Sequence, residues 1–82
     1  MEITIVREEN QTYFEPLMPQ EIWEKAHLIL GAIEEGAACG ILAATEETEH
    51  IMALQYLFVA QEYRRKGIAT ALLEGLHEIG RY

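Results

Sequence analysis

The chain has 82 residues, which allows one small domain and excludes two. Its one cysteine, Cys39, excludes an internal disulfide, and three scattered histidines give no zinc spacing with it, so neither a cross-link nor a metal is expected. Half the residues are apolar, as in a globular domain, and the net charge of −8 disfavours nucleic acid as a partner, because phosphate binding needs basic surface.

No apolar run reaches the roughly 18 residues that a membrane helix needs. The start, Met1-Glu2-Ile3-Thr4, lacks the basic-then-apolar pattern of a secretion signal. The expected location is the cytoplasm, with no membrane partner.

In chain order, the β-branched run Ile3-Thr4-Ile5-Val6 predicts a first strand over 3–6. The polar stretch Glu8-Glu9-Asn10-Gln11-Thr12 breaks it, and Pro16 and Pro19 punctuate the next segment. Pro19 suits the opening of a helix over about 20–26, with Glu21 near its positive end and Ile22, Trp23 and Ala26 facing inward. Two apolar strands are expected over 28–34 and 38–45, joined by a hairpin through Glu35-Gly36-Ala37. Glu46-Glu47-Thr48-Glu49 reads as a polar turn. The near-continuous apolar run over 51–60 predicts a strand buried on both faces. A final helix is expected over 68–81, with Ile68, Leu72, Leu76 and Ile79 on one stripe. The fold class is α+β: an antiparallel meander sheet with helices packed on it.

Charge singles out one junction. Residues 1–59 hold eleven glutamates against Arg7 and Lys25, a net of −9. Residues 60–82 hold three against Arg64, Arg65, Lys66 and Arg81, a net of +1. Half of the basic residues thus stand together at 64–66, between the last strand and the last helix. The first N–H groups of a helix have no internal acceptor and carry the positive end of its dipole. Gly67 permits close backbone approach, Ala69 keeps the first turn open and Thr70 offers a hydroxyl. A diphosphate suits such a turn. On the residues alone a second reading stays open, in which this is a solvated basic turn and Gly67 serves only the change of direction. Neither common phosphate-loop pattern, Gly-x-x-x-x-Gly-Lys-Ser/Thr or Gly-x-Gly-x-x-Gly, is present.

The pattern Arg64-x-x-Gly67-x-Ala69 opens a helix directly after a strand ending in Leu57-Phe58-Val59. It resembles the acyl-CoA-binding motif of the GNAT superfamily of N-acetyltransferases, Gln/Arg-x-x-Gly-x-Gly/Ala. The sharp likeness covers about residues 54–76. The order of elements along the whole chain is similar to the N-terminal half of that fold. The resemblance implies acetyl-CoA as cosubstrate and a small amine or peptide amine as acceptor. It implies that main-chain N–H groups of Arg65, Lys66, Gly67, Ile68, Ala69 and Thr70 hold the pyrophosphate, with Arg64 at the Gln/Arg position. The main chain of Phe58 and Val59 would pair with the pantetheine arm. An N–H near Leu57 or Phe58 would face the thioester carbonyl.

The resemblance leaves the general base and acid unassigned. In some members a glutamate on this strand takes the proton, but the inward positions here are Ala53 and Gln55. Glu34, Glu35, Glu46, Glu47 and Glu49 read as exposed turn residues, and His27, His50 and His77 as surface or strand-end residues. Cys39 reads as core, and Tyr56 and Tyr63 as packing residues. Members of the family continue past this helix with more strands and another helix, whereas the sequence stops at Gly80-Arg81-Tyr82. The chain is therefore expected to be a coenzyme-binding half, a fragment or a short protein completed by a second copy. Strand 51–60 would then be an exposed apolar edge and a homo-oligomer contact. A non-catalytic acyl-CoA-binding or dimerisation module is the alternative to an active transferase.

Overall fold

The structure, a computed structural model, describes residues 1–49 and 51–79. The end predicted for the last helix and the reading of His50 lie outside them. Four strands form one antiparallel sheet in the order β1-β2-β3-β4: β1 Glu2–Ile5, β2 Leu28–Glu34, β3 Ala37–Thr48 and β4 Ile51–Val59. Helices α1 Glu8–Phe14 and α2 Gln20–Lys25 cover one face, and α3 Ile68–Ile79 covers the other. This is the expected meander, and among the described residues no helix is long and apolar enough to cross a membrane.

The β2–β3 hairpin turns on Glu35 and Gly36, both left-handed at φ 50° and 80°, the conformation that matches strand twist in a two-residue turn. Each face of the sheet has its own core. Leu30, Ala32, Cys39, Leu42 and Ala44 pack beneath Ile68 and Leu72 of α3. Ile41 and Ala43 pack against Phe14 and Met18, with Ile22, Trp23 and Ala26 around them. The helix stripe predicted for α3 lies on the sheet as expected.

Three expectations are corrected. The stretch at 8–12 does not simply break the first strand but forms most of α1. Asn10 fixes that start: its Oδ1 accepts from the Arg7 N–H at 2.7 Å and its Nδ2 donates to the Ile5 carbonyl at 3.3 Å. Glu8 and Glu9 sit favourably in the first turn. The only fully buried residue of α1 is Phe14, whose ring lies where a Gly31 Cβ would be, at 2.4 Å from it. One inward residue leaves no periodicity to read. Next, β3 runs on to Thr48 where a turn from Glu46 was expected. Glu46 pairs with Met52 and Thr48 with Ile51, and pairing by backbone alone tolerates polar side chains beyond the helices. Finally, β4 is not buried on both faces. Ile51, Leu54 and Leu57 are exposed, and double burial belongs to β3, whose residues Cys39–Ala44 are all buried.

Candidate functional site

The free edge of β4 is set by its register. Val59 faces Gly40, and the Ala60 N–H donates to the Cys39 carbonyl at 2.8 Å. In an antiparallel ladder that bond makes Val59–Gly40 a pair that exchanges no hydrogen bonds. The N–H and C=O of Val59 therefore point away from β3, as do those of Leu57, while Phe58 directs both of its groups at Ile41. Phe58 thus lacks the free main-chain groups expected of it; Leu57 has both, and Val59 keeps its N–H, its outward carbonyl being taken by Arg64.

Further along, Ala43 faces Tyr56 but Ala44 faces Leu54, so Gln55 is an extra residue in a bulge. Leu54 and Leu57, three apart, consequently share the α3 face, because Ala44 and Leu42 opposite them do. Gln55 Nε2 donates to Thr45 Oγ1 at 3.1 Å.

After β4 the chain makes a 3-10 turn at Gln61–Tyr63 and then the loop Arg64–Gly67. Arg65 and Gly67 are left-handed, at φ 66° and 79°, and Lys66 between them is not. Alternation of this kind turns successive N–H groups towards one concavity that favours anions. A left-handed non-glycine costs about 1 kcal/mol, and Arg65 bears it beside the site. The N–H groups of Arg65, Lys66 and Gly67 donate to no group among the described residues. Helix α3 then begins on Gly67, whose carbonyl accepts from the Ala71 N–H at 3.0 Å. This leaves the N–H groups of Ile68, Ala69 and Thr70 without helical acceptors. A Cβ on Gly67 would meet nothing within 4 Å, so the space beside the cup is open.

A cleft of about 430 Å³ joins strand edge and loop. Nine of the ten residues picked from the sequence line it: Leu57, Phe58, Val59, Arg64, Arg65, Gly67, Ile68, Ala69 and Thr70. Lys66 does not; its ammonium lies 5.5 Å over the ring of Tyr63. Tyr63 packs against the core beneath α3, as expected of it, and also lines the cleft. Arg64 Nε donates to the Val59 carbonyl at 3.0 Å. Beneath the first turn of α3 lies Gly40, where a Cβ would sit 3.1 Å from Ile68 and 3.3 Å from Leu72. Nothing in the sequence marks Gly40, since its role depends on which strand α3 crosses.

Among the described residues, none of the candidate bases lines the cleft. Glu34 pairs with the Met1 amino group at 3.1 Å, and His27 Nδ1 accepts from the Glu46 N–H at 2.8 Å. Tyr56 packs on the α1–α2 side. Cys39 is buried in β3, and burial first, then the nearby charge of Glu34, pushes its thiol up. Among the described residues no group of three metal-ligating side chains comes together.

No curated protein matches the sequence. Solved structures do match the fold. The aminoglycoside N-acetyltransferase AAC(6')-Iy in complex with CoA has a TM-score of 0.78, with 20% identity, over 96% of this chain and 69% of that one. The aminoglycoside 6'-N-acetyltransferase AAC(6')-IG from Acinetobacter haemolyticus gives 0.77, with 22% identity, over 98% and 71%. A ribosomal-protein-alanine N-acetyltransferase from Brucella melitensis biovar Abortus 2308 gives 0.73, with 22% identity, over 95% and 70%. At these identities the likeness is one of fold. The sequence itself matches the acetyltransferase (GNAT) family over residues 2–81, so the chain that builds this cleft belongs to that family.

Proposed function

We propose that the cleft holds acetyl-CoA and that the chain serves acetyl transfer to a primary amine. The observation that carries this reading is the cup of free N–H groups at 65–70, opening on a cleft that runs along the free edge of β4. The N–H groups of Arg65 to Thr70 receive the pyrophosphate, helped by the α3 dipole and by the only basic cluster in the chain. The outward N–H and C=O of Leu57 and the outward N–H of Val59 receive the pantetheine arm as an adjacent strand would, the Val59 carbonyl being held by Arg64. The Leu57 N–H is placed to stabilise negative charge developing on the thioester oxygen. The cosubstrate supplies an activated acetyl group; an amide bond forms, the carbon–sulfur bond breaks and the thiol leaves with a proton. The bulge residue Gln55 does not titrate, so the amine must arrive neutral or lose its proton to a group outside this strand. An acidic surface favours a cationic acceptor, such as a polyamine, amino sugar or peptide amine. A CoA cosubstrate and an unpaired buried cysteine fit the reducing cytoplasm.

Calorimetric titration with CoA tests the site. Wild type should bind, and Gly67→Glu, which strains a left-handed position and adds a negative charge, should lose at least about tenfold in affinity. Equal affinity in the two proteins would place the phosphates elsewhere. Thiol release across a panel of amines then separates a transferase from a non-catalytic CoA-binding module.

A second reading concerns assembly and rests on β4. Leu54 and Leu57 are 46% and 36% exposed on one face, beside outward-pointing backbone groups. We infer a homo-oligomer formed along this edge. Light scattering that returns a monodisperse species at the chain's own 9.4 kDa would sink it.

A further inference from the structure

The cleft is bounded by a strand end and a loop, and one side chain ties the two together. Arg64 Nε donates to the Val59 carbonyl at 3.0 Å. That carbonyl points to the free edge, where no strand of the described residues takes it. Between the two partners the chain makes one tight turn, closed by the Tyr63 N–H on the Ala60 carbonyl at 2.9 Å and the Arg64 N–H on the Gln61 carbonyl at 3.3 Å. The Arg64 side chain therefore closes a loop around this turn immediately before the left-handed Arg65.

We propose that Arg64 is a positioning residue that acts through its Nε–H, holding loop 64–67 against the end of β4, and that its charge is secondary. Chemistry separates the two roles. In glutamine, Nε2 lies as many bonds from Cα as Nε does in arginine. Lysine has a carbon at that place and its ammonium one bond farther out. Glutamine thus keeps the donor without the charge, and lysine keeps the charge without the donor.

The test compares Arg64→Gln, Arg64→Lys and Arg64→Ala in two measurements. Hydrogen exchange on the free protein reads the clamp without any ligand. The amides of Ala60 and Tyr63 should exchange as in wild type in Arg64→Gln and about tenfold faster in the Lys and Ala variants. The Leu42 amide, in the buried strand, should be unchanged in all three. CoA affinity, which rests on the proposed function, should stay within about threefold in Arg64→Gln and fall about tenfold in the other two. Unchanged exchange in all variants would overturn the clamp. A lysine variant that binds CoA like wild type while glutamine fails would overturn the ranking of donor over charge. If wild type bound no CoA, the coenzyme reading would fall and exchange alone would decide the clamp.

Discussion

Strands β3 and β4 lie side by side, pair along most of their length and are both largely apolar, yet they do opposite work. In β3 the residues Cys39, Ile41, Leu42, Ala43 and Ala44 are fully buried, covered by α3 on one face and by α1 and α2 on the other. In β4 no residue is fully buried, and among the described residues no strand pairs with its outer side. A strand whose hydrogen bonds are all used can only hold the fold together. A strand with outward N–H and C=O groups can receive something else, and the candidate site lies along that edge. The comparison teaches that apolar composition reports affinity for a covered surface, and not what does the covering.

Truncation is the most direct way to break the comparison. Leu42→Ala should cost about 2–5 kcal/mol, from lost transfer energy and the cavity left behind. Leu57→Ala, its partner across the ladder, should cost only about 1 kcal/mol, because its side chain is already partly solvated. Denaturant midpoints at a common slope measure both. Equal losses would mean that β4 is as sealed as β3 and has no free face to offer.

Gly40→Ala sharpens the comparison, because Gly40 is where the sealed strand touches the site. The new methyl would stand 3.1 Å from Ile68 Cγ2 and 3.3 Å from both Leu72 Cδ1 and the Phe58 carbonyl. Overpacking there should cost about 1–3 kcal/mol. It should also weaken CoA binding, by lifting the first turn of α3. A fall in melting temperature without a change in CoA affinity would separate the start of α3 from the ligand.

Much of this organisation was legible in the sequence, for identifiable reasons. The α3 stripe carries its own period, the β-branched run at 3–6 and the apolar runs at 28–34 and 38–45 carry strand composition, and the Glu35-Gly36 turn carries its own backbone chemistry. The site was legible because it is local: a strand end, a loop and a helix start occupy consecutive residues, so nine of ten lining positions could be named. What was not legible depends on contacts distant in sequence. Phe14 fills the hole over Gly31, and Gly40 admits α3, but neither pair is adjacent in the chain. The apolar run at 51–60 does not disclose its burial, because such a run looks the same whether two layers cover it or one. The outward-pointing groups fall on Leu57 and Val59 because ladder phase is set by the register with β3, which no residue of β4 encodes.

At the site itself, Gly67→Ala isolates conformation from space. A methyl at Gly67 meets nothing within 4 Å, so its whole cost, about 1 kcal/mol, comes from the left-handed backbone at φ 79°. The loop should relax towards other dihedrals and CoA affinity should fall, while the exchange of β3 amides stays unchanged. Slower or faster exchange in β3 would show that the two regions are energetically joined.

The smallest effect is a pH dependence inside β3. The Cys39 thiol is enclosed, with its Sγ–H donating to the Ala32 carbonyl at 3.4 Å. Burial, and then the charge of Glu34, raise its pKa above the ordinary thiol value. The unfolded chain releases this proton first, as pH rises past about 8.5. Stability due to the neutral thiol is therefore complete below that range and declines as pH climbs towards the folded-state value. Cys39→Ala removes the group and with it this part of the slope. Denaturation midpoints of wild type and variant should run parallel up to about pH 8 and converge above it, with wild type losing more. Lines that stay parallel to about pH 10 would mean that the thiolate is tolerated within the strand. The enclosure that distinguishes β3 from β4 would then fail at Cys39, the residue whose carbonyl accepts the last ladder bond before the loop.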